Sequence, residues 1–220
     1  MTRRFLGIAA FASCLIATAA APARAADVWK IDPAHSFAQF SVTHLMISTV
    51  RGEFDTLSGT IEYDGKDVAS IKADVTIDAA SITTRNEYRD KDLKSDHFFD
   101  VANYPTVTFK SKRAVSAPGG GFQLIGDLTM HGVTKEVTLD GTGPSKVIKG
   151  GKGESRVGAS ATTKINRQDF GIKWNANVDG GGVVVSDMVA ITLDIEAMLP
   201  PAAPLPPSPP PPPPPPPPKK

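Results

Sequence analysis

Cysteine is nearly missing: the single one in 220 residues, Cys14, lies inside an N-terminal apolar run. If that run is removed on export, the rest of the chain forms no disulfide and no thiolate metal site, and core packing alone must hold it together. Histidine is scarce too. His35, His44, His97 and His131 show neither H-E-x-x-H nor H-x-H spacing, so the sequence sets no pair of imidazoles on one metal, and no metal or other cofactor is expected. Nucleotide and serine-hydrolase signatures are absent. Gly151-Lys152-Gly153 lacks the remainder of a phosphate loop, and no G-x-S-x-G turn exposes a nucleophile. Excess positive charge is also lacking. The formal charge is +1, and without Arg3, Arg4 and Arg24 the 21 remaining basic residues face 23 acidic ones, which gives −2 and excludes an electrostatic footprint for nucleic acid.

What the chain does have is alternation. Phe40/Val42, Ile71/Ala73/Val75/Ile77, Val107/Phe109, Phe122/Leu124, Leu128/Met130, Val137/Leu139 and Val189/Ile191/Leu193/Ile195 recur at period two, with almost no charge on that face. Such spacing predicts strands over Val28–Asp32, Ser36–His44, Val50–Asp64, Ala69–Ile77, Thr106–Val115, Phe122–Met130, Lys135–Gly141, Ser155–Ile165 and Val183–Ala197. Turn residues separate most of them: Asp64-Gly65, Pro118-Gly119-Gly120-Gly121, Gly141-Thr142-Gly143-Pro144 and Gly180-Gly181-Gly182. The pattern is that of an antiparallel meander which, once closed, encloses an apolar interior. One segment departs from it. Thr84-Arg85-Asn86-Glu87 reads as a capping box opening a short helix, about Arg85 to Asp96, over one mouth of the sheet. Asp90, Asp92, Asp96 and Asp100 alternate with Arg89, Lys91 and Lys94, as on a solvated helix face rather than in an acid–base pair. No catalytic residue is assigned, and an enzymatic reading has only scattered His, Asp and Tyr in its favour.

The two ends belong to other classes. Residues 1–25 have the layout of a secretory signal: Arg3 and Arg4, an apolar run from Phe5 to Ala21, and Ala23-Arg24-Ala25 as cleavage site, which predicts a periplasmic protein. Twin-arginine export and lipidation at Cys14 are alternatives. The first lacks the usual spacer before Phe5, and in the second the apolar run continues through Leu15 and Ile16. At the other end, residues 200–220 carry ten consecutive prolines, Pro209 to Pro218, before Lys219-Lys220. This tail is expected to form extended polyproline, either a plain spacer or a ligand for a cell-wall or protein partner.

Several ordered motifs resemble the YceI family of exported lipocalin-like proteins across Asp27 to Leu199. They include Trp29-Lys30-Ile31-Asp32 with His35-Ser36, Val42-Thr43-His44, Arg51-Gly52-Glu53-Phe54 and Gly59-Thr60-Ile61. Ser81-Ile82-Thr83-Thr84, Arg89-Asp90, Leu93-Lys94-Ser95, Phe98-Phe99-Asp100 and Tyr104-Pro105 follow, and the stretches Gly126–Lys135 and Asn166–Gly171 complete the set. The resemblance implies an all-β fold, an eight-stranded antiparallel barrel with one short helix near an opening. It also implies a cavity for a polyisoprenoid or similar fatty amphiphile, and no catalysis. Asp92 and His97 depart from the family pattern, which often has a histidine and an acidic residue in those two places. Strand parity and aromatic placement nominate Phe40, Val42, Phe54, Val75, Phe109, Leu128, Met130 and Ile191 as cavity lining, with His44 and Tyr104 placed to meet a polar head. Gly52 and Gly126 are the positions where a bulge is expected to flip the faces. Two further arrangements stay open: a homodimer, and a filled barrel acting as an interaction module through its tail.

Overall fold

The computed structural model describes residues 26–177 and 181–201; the expected leader over 1–25 and residues 202–220 of the proline tail lie outside them. The strands are β1 Asp27–Ile31, β2 Phe37–His44, β3 Ser48–Phe54, β4 Leu57–Tyr63, β5 Lys72–Asp78 and β6 Ile82–Thr83. After helix α1, Glu87–Lys94, come β7 Thr106–Ser116, β8 Phe122–Met130, β9 Val133–Thr142, β10 Ile148–Lys149, β11 Ser155–Asn166 and β12 Met188–Leu199. Hydrogen bonding runs in the order β11-β9-β8-β7-β5-β4-β1-β12 and returns from β12 to β11, so eight antiparallel strands close into a barrel, as expected. The β2–β3 hairpin extends the wall: β2 pairs with the first half of β12, and β6 pairs with β3.

Three differences from the sequence reading have local causes. Val50–Asp64 is two strands, because Asp55 and Thr56 leave the ladder to donate their backbone N–H groups to the Ser81 carbonyl and to Ser81 Oγ. β12 begins at Met188 rather than Val183, since the preceding residues are drawn into a loop against Arg167 and Asn175. The helix is capped by Asn86, whose Oδ1 accepts from Arg89 N at 3.0 Å, and not by Thr84. The Thr84 N–H instead donates to the Asp90 carboxylate at 2.8 Å, which holds it one step outside the helix.

Glycine is used to seat phenylalanine rings. A Cβ on Gly52 would lie 2.4 Å from the Phe40 ring, one on Gly126 2.7 Å from Phe109, and one on Gly141 2.3 Å from Phe122. Phe40 and Phe122 are the direct cross-strand partners of Gly52 and Gly141. Of the two expected bulges, the one at Gly52 is not formed, since β2 and β3 pair there without a register break, and the one near Gly126 is present with its extra residue on the partner strand. Ser111 pairs with Gly126 and Arg113 with Ile125, so Lys112 is unpaired, and the buried positions of β7 shift from Val107 and Phe109 to Ala114.

The seam beside β12 carries a compact polar cluster. Arg156 Nη1 donates to Asp32 Oδ2 at 2.9 Å and also to Glu196, while His35 Nδ1 lies 2.9 Å from Asp32 Oδ2. The turn between β1 and β2 is tied to the same strand, with Asp32 N donating to the Glu196 carbonyl at 2.8 Å and Glu196 N donating to Ser36 Oγ at 3.0 Å. The buried Asp32 carboxylate is held below the usual range, first by the bond to His35 and then by Arg156 and the Ala34 N–H, against the opposing effect of burial.

Two outcomes are expected. Gly126→Ala places a methyl group 2.5 Å from the Lys110 carbonyl oxygen and 2.7 Å from Ser111 Cα, which are backbone atoms, and lowers stability by about 1–3 kcal/mol as read from the urea midpoint. Because the folded-state pKa of Asp32 is depressed, its contribution is whole above about pH 4 and is lost as pH falls through the folded value. Asp32→Asn therefore lowers the urea midpoint at pH 7, and the gap to the unsubstituted protein narrows as the pH falls below about 4.

Candidate functional site

The inward faces of the strands do not fill the barrel; they surround a cavity of about 630 Å³ with an almost wholly hydrocarbon wall. At the end where β1 begins and β12 finishes, Trp29, Tyr63, Ile71, Phe122 and Leu124 are all buried and pack together as an apolar floor. The one indole donor there is satisfied, since Trp29 Nε1 donates to the Tyr63 carbonyl at 3.1 Å. At the opposite end the lining includes the cap residue Asn86 with Tyr88, Arg89 and Asp92 of α1, His44 and Val50 of the β2–β3 hairpin, and Trp174, Val184 and Val185. Tyr88 is 90% exposed, so the cavity meets solvent beside α1.

Phe40, Val42, His44, Phe54, Val75, Phe109, Leu128, Met130 and Ile191 all line this cavity. Tyr104 does not, contrary to the sequence-based expectation. Its ring lies 4.6 Å from that of His131 and covers Gly132, because the turn after Asp100 carries it away from the opening. The aromatic group near the mouth is instead Phe40, Phe54 and Phe99, with ring centroids 5.9 and 5.6 Å apart in sequence. Trp174, which was not among the expected lining residues, packs against Phe98 with ring centroids 5.3 Å apart and stacks on His97 at 6.1 Å.

Ligand atoms of Asp32, His35 and Glu196 come within 4.8 Å of one another, a grouping suited in principle to a cation. Arg156 already donates to both carboxylates there, so a guanidinium supplies the positive charge.

A family model described as the YceI-like domain matches residues 29–197. The chain belongs to the YceI family. A UPF0312 protein of Staphylococcus aureus is 36% identical over 167 residues, covering 75% of this chain and 94% of that protein. A UPF0312 protein of Vibrio parahaemolyticus is 37% identical over 169 residues, covering 74% and 87%. Among solved structures, a Campylobacter jejuni YceI protein aligns with TM-score 0.61 and 34% identity over 71% of this chain and 89% of that one. BcnA of Burkholderia cenocepacia aligns with TM-score 0.64 over 76% and 98%, and at 23% identity it shows the shared fold alone.

In this YceI-family chain Asp92 and His97 touch each other: His97 Nδ1 lies 3.0 Å from Asp92 Oδ1, on the surface beside the mouth. The more consequential group is Arg167, which sequence reasoning placed only within a motif. It is 4% exposed, and burial pulls its pKa below the usual arginine value, with Asp187 opposing. All five of its N–H donors find acceptors: the carbonyls of Ser186, Ile172, Trp174 and Val185, and Asp187 Oδ1. One side chain thus anchors both arms of the loop that frames the mouth opposite α1. Arg167→Lys, with three donors in place of a planar fork of five, leaves at least two of those acceptors unmet. It is expected to cost about 2–4 kcal/mol in a urea titration and to raise amide exchange over residues 172–177 and 181–187.

Proposed function

We propose that this chain is an exported, non-catalytic binding protein of the periplasm that holds the hydrocarbon part of a polyisoprenoid or similar fatty amphiphile inside its barrel. The carrying observation is the cavity of about 630 Å³ bounded by carbon, a surface that no water-soluble polar cargo would match. At roughly 30 Å³ per water-sized group, it has room for about 20 chain atoms. Each buried methylene contributes about 0.8 kcal/mol, so some fifteen supply about 12 kcal/mol before ordering costs, whereas one neutral hydrogen bond nets about 1 kcal/mol. Affinity arises from the wall, and polar groups at the mouth set orientation. A structure from Saccharophagus degradans, described as a polyisoprenoid binding domain, shares the fold with TM-score 0.58; at 21% identity it lends the shape of the reading and not its ligand.

The proline tail is assigned to spacing or to partner contact, separate from cargo. Its removal over residues 200–220 is expected to leave lipid uptake intact. Organic extraction of protein purified from the periplasm, followed by mass spectrometry, should yield an amphiphile in near-stoichiometric amount. Leu193 lines the cavity opposite Ala38 and Ala161. Leu193→Trp fills part of it, and the extracted amount should fall at least about fivefold while the circular dichroism spectrum is retained. A Leu193→Trp protein carrying as much lipid as the unsubstituted one would remove the cavity from consideration.

A further inference from the structure

Arg89 is the one cation of α1 that lines the cavity. It is half-buried, and two of its five donors are committed: Nε to Thr84 Oγ1 at 2.7 Å and Nη2 to the Thr84 carbonyl at 3.0 Å. Nη1 has no acceptor, and Arg89 has no carboxylate partner among the described residues. The two carboxylates nearest in the helix are engaged elsewhere. Asp90 accepts from the Thr84 N–H and hydroxyl. Asp92, which lines the same mouth, is bonded to His97 Nδ1 at 3.0 Å. A guanidinium fixed on one edge and open on the other is prepared for two parallel bonds to a carboxylate or phosphate, and holding it part-buried without a counter-ion is costly.

We propose that the amphiphile bound in this barrel has an anionic head, a carboxylate or phosphate, and that Arg89 binds that head at the mouth while the chain occupies the tunnel. This rests on the cargo reading above and narrows it from any amphiphile to an acidic one. The anion completes the donor set of Arg89 and supplies the missing charge. Asp92 sits on the same rim and opposes any anion that is not seated directly on the guanidinium, so the site favours a single head held close.

The test uses protein stripped of lipid and three ligands of equal chain length, dodecanoic acid, dodecyl phosphate and dodecanol, each displacing a fluorescent apolar probe. An ionic hydrogen-bonded contact of this kind predicts that at least one of the two anions binds about tenfold or more tightly than the alcohol. In Arg89→Gln that ratio falls towards one, and Arg89→Lys retains part of it. Whichever anion shows the larger ratio identifies the head. Equal affinities for all three ligands in the unsubstituted protein overturn the proposal and leave the cargo reading standing. So does an Arg89→Gln protein that weakens acid and alcohol alike, because that is the mark of a clamp on Thr84 and nothing more. Binding of none of the three removes the cargo reading itself, and this proposal with it.

Discussion

The structure depends on β12 having a partner along both edges. It is paired with β11 over its whole length and with β1 and β2 in succession on its other side, so the meander has no free edge at the seam and every strand must turn one face inward. Inside and outside are then decided by parity alone. Val189, Ile191, Leu193 and Ile195 line the lumen, and the alternating residues Ala190, Thr192 and Asp194 take the other face. The Asp32–Arg156–Glu196 cluster lies on this seam and joins three segments far apart in the chain. No cysteine among the described residues is available to make the same connection.

A closed barrel of eight strands is narrow enough for its own side chains to fill, so an open interior needs explanation. Part of it lies in the three phenylalanines that rest over glycines. Phe40, Phe109 and Phe122 lie against the wall where Gly52, Gly126 and Gly141 leave space, and the volume of each ring is taken up at the periphery. Alanines on β11 and β12, Ala159, Ala161 and Ala197, widen the same lumen from the other side. Bulk is concentrated at the floor, where Trp29 and Tyr63 pack together.

Period-two alternation was enough to read the strands and most of the wall, because parity on a closed sheet is a local property. It held through Val75, Leu128 and Ile191. It also explains why one bulge matters, since Lys112 reverses the faces of β7 opposite Gly126. Tyr104 was misread because an aromatic after the helix looks local to it, whereas the turn at Asp100 redirects the chain outward. Arg167 was legible as part of a motif but not as a clamp, since its acceptors lie five to twenty residues away on a loop without periodicity. The Arg89–Thr84 contact was hidden by the same sequence that suggested a capping box, because Thr84 serves Asp90 and Arg89 rather than the helix end.

The packed floor of Trp29, Tyr63 and Phe122 has a kinetic meaning for the proposed cargo. A guest of the proposed kind that enters beside α1 and runs toward this floor would have to back out the way it came, with its hydrocarbon returned to water before it is free. If that re-exposure sets the barrier, each extra methylene lengthens residence about fourfold. Retention time then becomes a ruler for chain length, and transfer to an acceptor membrane is fast only where the opening meets another apolar surface directly.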